Sequence, residues 1–291
     1  MKLKRILSLA LCAALLCMGF ACAETFTDMC GREIALDAPA QRIVALTAAD
    51  CEILCALGAQ ELLIGRGEYC DYPESVLELP AVQSGAETNI EQIMALQPDV
   101  VLMAKMEQSI EQINALEAAG IRVVESDAQD IAGVYEAIAM IGKVVGREAE
   151  ADALIASMQA DFDGLTMLEP GRTVYFEVSP LEWGLWTAGA GTFMDEIAQM
   201  LGLENVFADV DGWAQISEEQ VLERNPDFIV TITMYEDGAG SVDEIQSRAG
   251  WQGLKAVQNG GVLRVDSKEI SRPGPRLASA ARKLSELVSD K

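Results

Sequence analysis

Residues 89–102 read NIEQIMALQPDVVL, and residues 217–230 read SEEQVLERNPDFIV. At an offset of 128, Glu91 matches Glu219, Gln92 matches Gln220, Pro98 matches Pro226 and Asp99 matches Asp227. Each copy reads as a short helix, a Pro-Asp turn and an apolar strand. Asn89 and Ser217 are good N-cap residues, which puts each glutamate in a first helical turn. A looser echo pairs CEILCALGAQELLIG (51–65) with DEIAQMLGLENVF (195–207), each a helix ending at Leu-Gly before a short strand. Its offset is 144 when Gly58 is set on Gly202, so the N-terminal half carries about 16 extra residues between its two motifs. A pattern that occurs twice in this order predicts two lobes of one plan.

Between the copies lies the stretch from Gly146 to Glu169. Its apolar residues Ala151, Leu154, Ile155, Met158, Phe162 and Leu165 recur at steps of three and four, the stripe of an amphipathic helix. Pro170-Gly171 stops it. About 20 residues at 1.5 Å each make a rod of roughly 30 Å. The expected organisation is an N-terminal lobe over 24–145, a bridging helix over 146–169 and a C-terminal lobe over 170–291. In each lobe apolar runs of strand length alternate with helical patterns. In the first these are the runs at 42–46, 62–65, 99–103 and 121–125; in the second they lie at 172–178, 227–234 and 261–266. That alternation predicts an α/β fold: two Rossmann-like lobes with mainly parallel sheets, joined by one long helix. Residues 66–88 and the segment around Trp213 read as loops.

Residues 1–23 are set apart. Lys2, Lys4 and Arg5 precede the apolar run Ile6–Phe20, and Ala21-Cys22-Ala23 is a small-residue cleavage pattern, as in a secretory signal. The run falls short of the roughly 20 residues needed to span a bilayer. Two processing routes are open: cleavage before Glu24, giving a soluble product, or lipidation of Cys22. Either exports the chain, to the periplasm or to the outer face of the cytoplasmic membrane. Those 23 residues hold three of the 21 basic residues and none of the 46 acidic ones, so the rest carries a net charge of about −28. That charge excludes nucleic acid and anionic membranes as partners. Cys30, Cys51, Cys55 and Cys70 follow Cys22, and four thiols allow three pairings. Cys51 and Cys55, one turn apart in an apolar helix, read as core residues. Histidine is absent. This argues against a bare transition-metal site and removes the usual general base of hydrolases, and no nucleophile–base pair stands out. The expectation is a binding protein and not an enzyme, acting as a monomer, with neither a resident metal nor a cofactor.

In open parallel sheets ligands bind beyond the carboxyl ends of the strands. Candidates there are Tyr69, Tyr72, Met103 and Lys105 in the first half and Trp183, Trp186, Trp213, Tyr235, Arg272 and Arg276 in the second. All four tryptophans fall in the second half, and three of them are outside apolar runs. Such aromatics either hold a large flat ligand or cap the core of their lobe. Arg272 and Arg276 open the last helix, where cations oppose the helix dipole, so they either face an anionic ligand or point into solvent. Glu91 and Glu219 are individually ordinary first-turn acids. As a matched pair on two lobes they suit a partner with two-fold symmetry.

Several of these motifs together resemble the helical-backbone (class III) solute-binding proteins of ABC importers. They are Arg42-Ile43-Val44, the helix Glu52…Ala56-Leu57-Gly58, Asn89-Ile90-Glu91…Leu96-Gln97-Pro98-Asp99, Ile216-Ser217-Glu218-Glu219 and Pro226-Asp227. The resemblance covers essentially all of the chain after the signal. It implies a cleft between two α/β lobes, modest closure, and a ferric siderophore, corrinoid or haem as the cargo. It implies that Glu91 and Glu219 dock onto the permease dimer. In the cobalamin branch, cleft aromatics match Tyr69 or Tyr72 and Trp213, whereas two further tryptophans of that branch fall near Glu87 and Met103, where this chain has none. For haem a tyrosine would ligate iron. For a catecholate siderophore Lys105, Arg272 and Arg276 would supply the basic cleft. A receptor or scaffold domain without a transported ligand is the reading of another class.

Overall fold

The computed structural model describes residues 24–85, 87–105, 109–233 and 242–291. A hairpin of β1 (Glu24–Thr27) and β2 (Glu33–Leu36) turns at Gly31, whose φ of 81° suits a residue without a Cβ. The first sheet follows: β3 (Ile43–Ala45), α1 (Ala48–Ala56), β4 (Leu63–Gly67), β5 (Ala81–Val82), α2 (Ile90–Leu96), β6 (Val100–Ala104), α3 (Ser109–Ala118) and β7 (Arg122–Ser126). Its strands are all parallel and lie in the order β5-β4-β3-β6-β7. Two helices, α4 (Ile131–Val145) and α5 (Glu148–Asp163), lead to the second sheet. That half runs β8 (Arg172–Glu177), β9 (Trp186–Ala188), α6 (Phe193–Met200), β10 (Leu203–Asn205), β11 (Trp213–Gln215), α7 (Glu218–Arg224), β12 (Phe228–Thr233), α8 (Val242–Ser247), α9 (Lys255–Gln258), β13 (Val262–Asp266), α10 (Ser267–Ile270) and α11 (Leu277–Ser289). The strand order is β10-β8-β12-β13, again all parallel. With the two-residue edge strand β5 set aside, both sheets run second, first, third, fourth. The sequence echo is therefore an echo of topology.

The echo reaches backbone detail. Asn89 and Ser217 cap α2 and α7 by accepting from the N–H of Gln92 and Gln220. The helices end at Gln97 (φ 53°) and Asn225 (φ 45°), the two non-glycine residues of positive φ among those described, and they too are 128 apart. Asp99 accepts from the N–H of Arg42 before β3, and Asp227 accepts from that of Thr173 in β8. Each Pro-Asp turn thus ties the third strand of its sheet to the start of the first.

Strand alternation sorts the core into three layers. Ile43, Ala45, Val174 and Phe176 face inward, where they join Ile53 and Leu54 of α1, Ile138 and Ile141 of α4, Met158 and Phe162 of α5, and Leu284 of α11 in one continuous apolar cluster. Val44, Val101, Ile93 and Leu116 form an outer layer on the first sheet; Tyr175, Ile229, Val221 and Trp251 form its counterpart on the second. The inner layer belongs to both halves at once.

Three expectations change. The helix before the second sheet spans Glu148–Asp163, about 24 Å at 1.5 Å per residue, and is capped at Gly164, before Leu165. Ala151, Met158 and Phe162 are buried as the stripe requires. The region 66–88 holds a 3-10 turn, Glu74–Glu78, and the edge strand β5. Trp186 and Trp213 lie on a two-stranded antiparallel ribbon of β9 and β11 rather than in loops.

Candidate functional site

The strand order of each sheet reverses between its first and third strands, and a crevice opens beyond the carboxyl ends there. In the first half this point lies beyond β3 and β6. Two hollows of about 260 and 220 Å³ meet there and share Thr47, Ala48 and Ala104. The larger reaches across to Ser271, Arg272 and Pro273, so it lies between the halves. The smaller carries Tyr69 at its rim, Ser84 and Gly85 on one wall, and Gln112 of α3. Each alone is below the roughly 300–1,000 Å³ of an ordinary ligand pocket, but together they form one trough. Its walls are mostly short side chains: Ala48, Ala49, Ala104 and Ala128 leave the space unfilled.

Of the aromatic candidates, Tyr69 lines the smaller hollow, and the others among the described residues are exposed to differing degrees. Tyr69 is 72% exposed, Trp183 54% and Tyr72 47%. Trp186 and Trp213 are a third or more exposed on their ribbon. Gln215 opposes Trp186, and Ala188 opposes Trp213, so both indoles stand on one face of the ribbon. Phe193 packs a tilted ring against Trp213 with centroids 5.4 Å apart. The fourth tryptophan, Trp251, is wholly buried and donates from Nε1 to Glu218. Gly189-Ala190-Gly191 packs its backbone against residues 210–212. The amides of Gly189 and Ala190 donate to Gly212 and Val210, and a Cβ on Gly189 would lie 2.1 Å from the Val210 oxygen.

Met103 is 3% exposed. It shares the outer-layer cluster with Val101, two residues before it in β6, so it lines the base of the smaller hollow from within the core. Tyr235 lies outside the described residues.

The cations are already partnered. Lys105 Nζ lies 2.9 Å from Asp127, whose carboxyl stays below the usual aspartate range: burial raises it, but hydrogen bonds from Lys105 and Gln129 more than offset that. Arg272 and Arg276 neither wait for an anion nor point into solvent. Arg272 donates at 2.8 Å to both Glu52 and Asp71. Arg276 grips Glu52 with two nitrogens, at 2.8 and 2.7 Å, and stacks 4.1 Å over the Tyr72 ring. Lys268 reaches Asp71 at 2.7 Å. This ion network ties α1 and the 69–72 segment to α10 and α11. Glu52 and Asp71 were not among the sequence candidates. The available signal was an acid buried in the apolar helix CEILCALG.

Asp50 is a second acid in that helix, 1% exposed and on the wall of the larger hollow. Its Oδ2 accepts from the Thr47 hydroxyl at 2.7 Å, while Oδ1 has no partner in hydrogen-bond geometry. Burial pushes its carboxyl pKa up, against the pull of the Thr47 and Ser126 hydroxyls. Glu91 and Glu219, in contrast, are exposed in the first turns of α2 and α7. Backbone hydrogen bonding, with the Ser217 hydroxyl, holds Glu219 below the usual glutamate range.

The arrangement is one of recognition: unfilled space, exposed aromatic faces and neutralised charge at paired sheet ends. Comparison with known proteins agrees. The chain is 32% identical to the uncharacterized ABC transporter substrate-binding lipoprotein YvrC of Bacillus subtilis (strain 168), covering 91% of this chain and 85% of that protein. It is 28% identical to the vitamin B12-binding protein of Salmonella typhi, over 86% of this chain and 91% of that one. Among solved structures, a possible iron-binding (periplasmic solute-binding) protein from Staphylococcus epidermidis ATCC 12228 superposes with a TM-score of 0.75 at 28% identity, over 86% of this chain and 99% of that one. The periplasmic binding protein family model matches residues 43–269, and with the two-lobed α/β fold this makes the chain a member of that family.

Proposed function

We propose that this chain is the extracytoplasmic substrate-binding component of an ABC importer and that it captures a bulky metal chelate between its lobes, residues 24–145 and 170–291, joined through 146–169. The observation that carries this reading is the trough at the switch point, with Tyr69 at its rim in the first half and Arg272 reaching it from the second. The relatives for which a ligand is named, including vitamin B12-binding proteins, support the same class. The pairing of Lys105, Lys268, Arg272 and Arg276 with carboxylates favours a corrinoid or a hydroxamate-type ferric chelate over a highly anionic catecholate. A second reading, haem, rests on Tyr69, whose exposed phenol at the pocket rim suits a ferric iron ligand.

Glu91 and Glu219 are the proposed contacts to the two permease subunits. Export through the 1–23 signal and lipidation at Cys22 complete the reading, supported by the lipoprotein named among the relatives. The deciding experiment mixes the purified protein with cyanocobalamin, haemin or ferrioxamine B and follows visible absorption after gel filtration. Co-elution of one chromophore identifies the class, and a shifted Soret band with haemin, abolished by Tyr69→Phe, selects the second reading. If none co-elutes, the chelate-import reading fails for all three ligands, and a receptor or scaffold role without a transported ligand takes its place.

A further inference from the structure

Helices α2 and α7 repeat a surface feature that neither capping nor packing requires. Most of what they share at the offset of 128 has a structural reason. Asn89 and Ser217 cap, Ile93 and Val221 fill the outer layers, and Asp99 and Asp227 tie the third strand to the first. Positions free of such duties have diverged. Ala95 matches Glu223, both exposed. Leu96, packed on the first outer layer, matches Arg224, which is paired with Asp209. Met94 and Leu222 are the exception. They match at the same offset, stand 44% and 36% exposed, and join none of the apolar clusters. Beside Leu222 lies Gly250, where a Cβ would come within 4.0 Å of Leu222 Cδ1, so no side chain there covers it. One exposed apolar residue needs no explanation. Two at equivalent places of a repeat, each three residues after a matched glutamate, form a pattern. Residues three apart on a helix are neighbours on one face, about 5–6 Å between Cβ atoms. Each half thus sets a carboxylate and an apolar side chain side by side: Glu91 with Met94, and Glu219 with Leu222.

We propose that Met94 and Leu222 are paired apolar anchors of a docking surface. Each enters an apolar recess beside a cation on one subunit of a two-fold symmetric membrane partner. The proposal rests on the importer reading, in which Glu91 and Glu219 meet the two permease subunits, and it specifies what lies next to each cation on that partner. Charge selects a basic partner. Helix α2 carries no cation, and Arg224 of α7 is held by Asp209, so the surroundings of both apolar residues are acidic. Symmetry accounts for the matching. A dimer of identical subunits shows the same recess twice, so both halves of this chain need the same pair of groups. The two kinds of group divide the work. The carboxylates steer encounter and fix register, while a desolvated apolar anchor supplies affinity that salt does not screen.

The test begins with photo-crosslinking of the full chain in its own cells. Benzoylphenylalanine replaces Met94, Leu222 or, as the control, Met167, which is 67% exposed and outside the repeat. Positions 94 and 222 are expected to trap one and the same membrane polypeptide, an ABC permease subunit, and position 167 is not. Different polypeptides at 94 and 222, or none, overturn the proposal. The trapped permease, in lipid nanodiscs, is then titrated with three forms of the exported protein: wild type, Met94→Ser with Leu222→Ser, and Glu91→Gln with Glu219→Gln. The serine pair weakens docking at least about tenfold, because two buried apolar contacts are lost. That loss persists between about 50 mM and about 500 mM salt, whereas the defect of the glutamine pair fades at the higher value, where ion pairs are screened. Urea midpoints of the serine pair match wild type, since both side chains are exposed. Wild-type docking by the serine pair, or a defect that salt abolishes, overturns the apolar anchors. If the glutamine pair alone docks poorly, the two glutamates keep their place in the interface and only the anchors are rejected. The chelate test above judges the importer reading by itself.

Discussion

Glu52 shows what one buried charge does here. Its side chain is 2% exposed, and both Arg272 and Arg276 close on it from the other half of the chain. Removing one partner of a buried ion pair leaves the others uncompensated, which costs more than the pair itself contributes. Glu52→Gln is expected to lower unfolding stability by about 3–5 kcal/mol in urea titration, whereas Glu91→Gln, on an exposed first turn, changes it by less than about 0.5 kcal/mol. Asp71 adds a pH signature. Burial raises its pKa, but hydrogen bonds from Lys268 and Arg272 outweigh this and the carboxyl lies below its ordinary 3.8. The stability from this group is therefore complete above pH 3.8 and is lost as pH falls through the lower folded value. Asp71→Asn should flatten that acid limb of a stability–pH profile, and an unchanged limb would place the loss in other carboxylates. Neither acid was legible as part of the site, because linear sequence does not show that residues 52 and 272 meet.

At the scale of elements, the repeat was readable because caps are local chemistry. Asn89 and Ser217 each satisfy a free N–H of their own helix, so their role depends on neighbours three residues away. The β9–β11 ribbon was hidden because Trp186 pairs with Gln215 and Ala188 with Trp213, partners 29 and 25 residues apart, and each strand has only three residues. Capping also acts between halves: Glu196 of α6 accepts at 2.7 Å from the N–H of Ile131, the first residue of α4. Glu196→Ala removes that acceptor and should cost about 1 kcal/mol of stability by chemical denaturation. A neutral result would mean that water replaces the carboxylate. The helices α2 and α7 carry the docking prediction. Their first turns present Glu91 and Glu219 to solvent at equivalent places in two sheets of one topology. In the proposed complex, Glu91→Arg with Glu219→Arg reverses two contacts and should lower uptake at least about tenfold while leaving chelate affinity unaltered. Normal transport by the double variant would remove both glutamates from the interface.

For the whole molecule, the sequence repeat foretold two sheets of one plan but not how firmly they are joined. Periodicity marks which residues are buried and not whose partners they are. Phe162, Ile141 and Leu284 were apolar positions in three separate helices, and they turn out to share one inner cluster with both sheets. With the ion network of Glu52, Asp71, Arg272 and Arg276 on the cleft side, that layer makes independent unfolding of either half costly. Each would expose the apolar face that the other covers, at about 25 cal/mol per Å². The chain carries its own reporters. All four tryptophans lie in the second half, and Cys51 and Cys70, fully buried, lie in the first. Urea unfolding followed by tryptophan emission and by thiol labelling of Cys51 and Cys70 should give coincident midpoints, the mark of one cooperative unit. Phe162→Ala, which opens a cavity in the shared layer, should lower both midpoints together, by about 3–5 kcal/mol of stability. Separate midpoints, or a Phe162→Ala effect confined to one reporter, would mean that the halves unfold as independent domains and that the cleft is free to open widely.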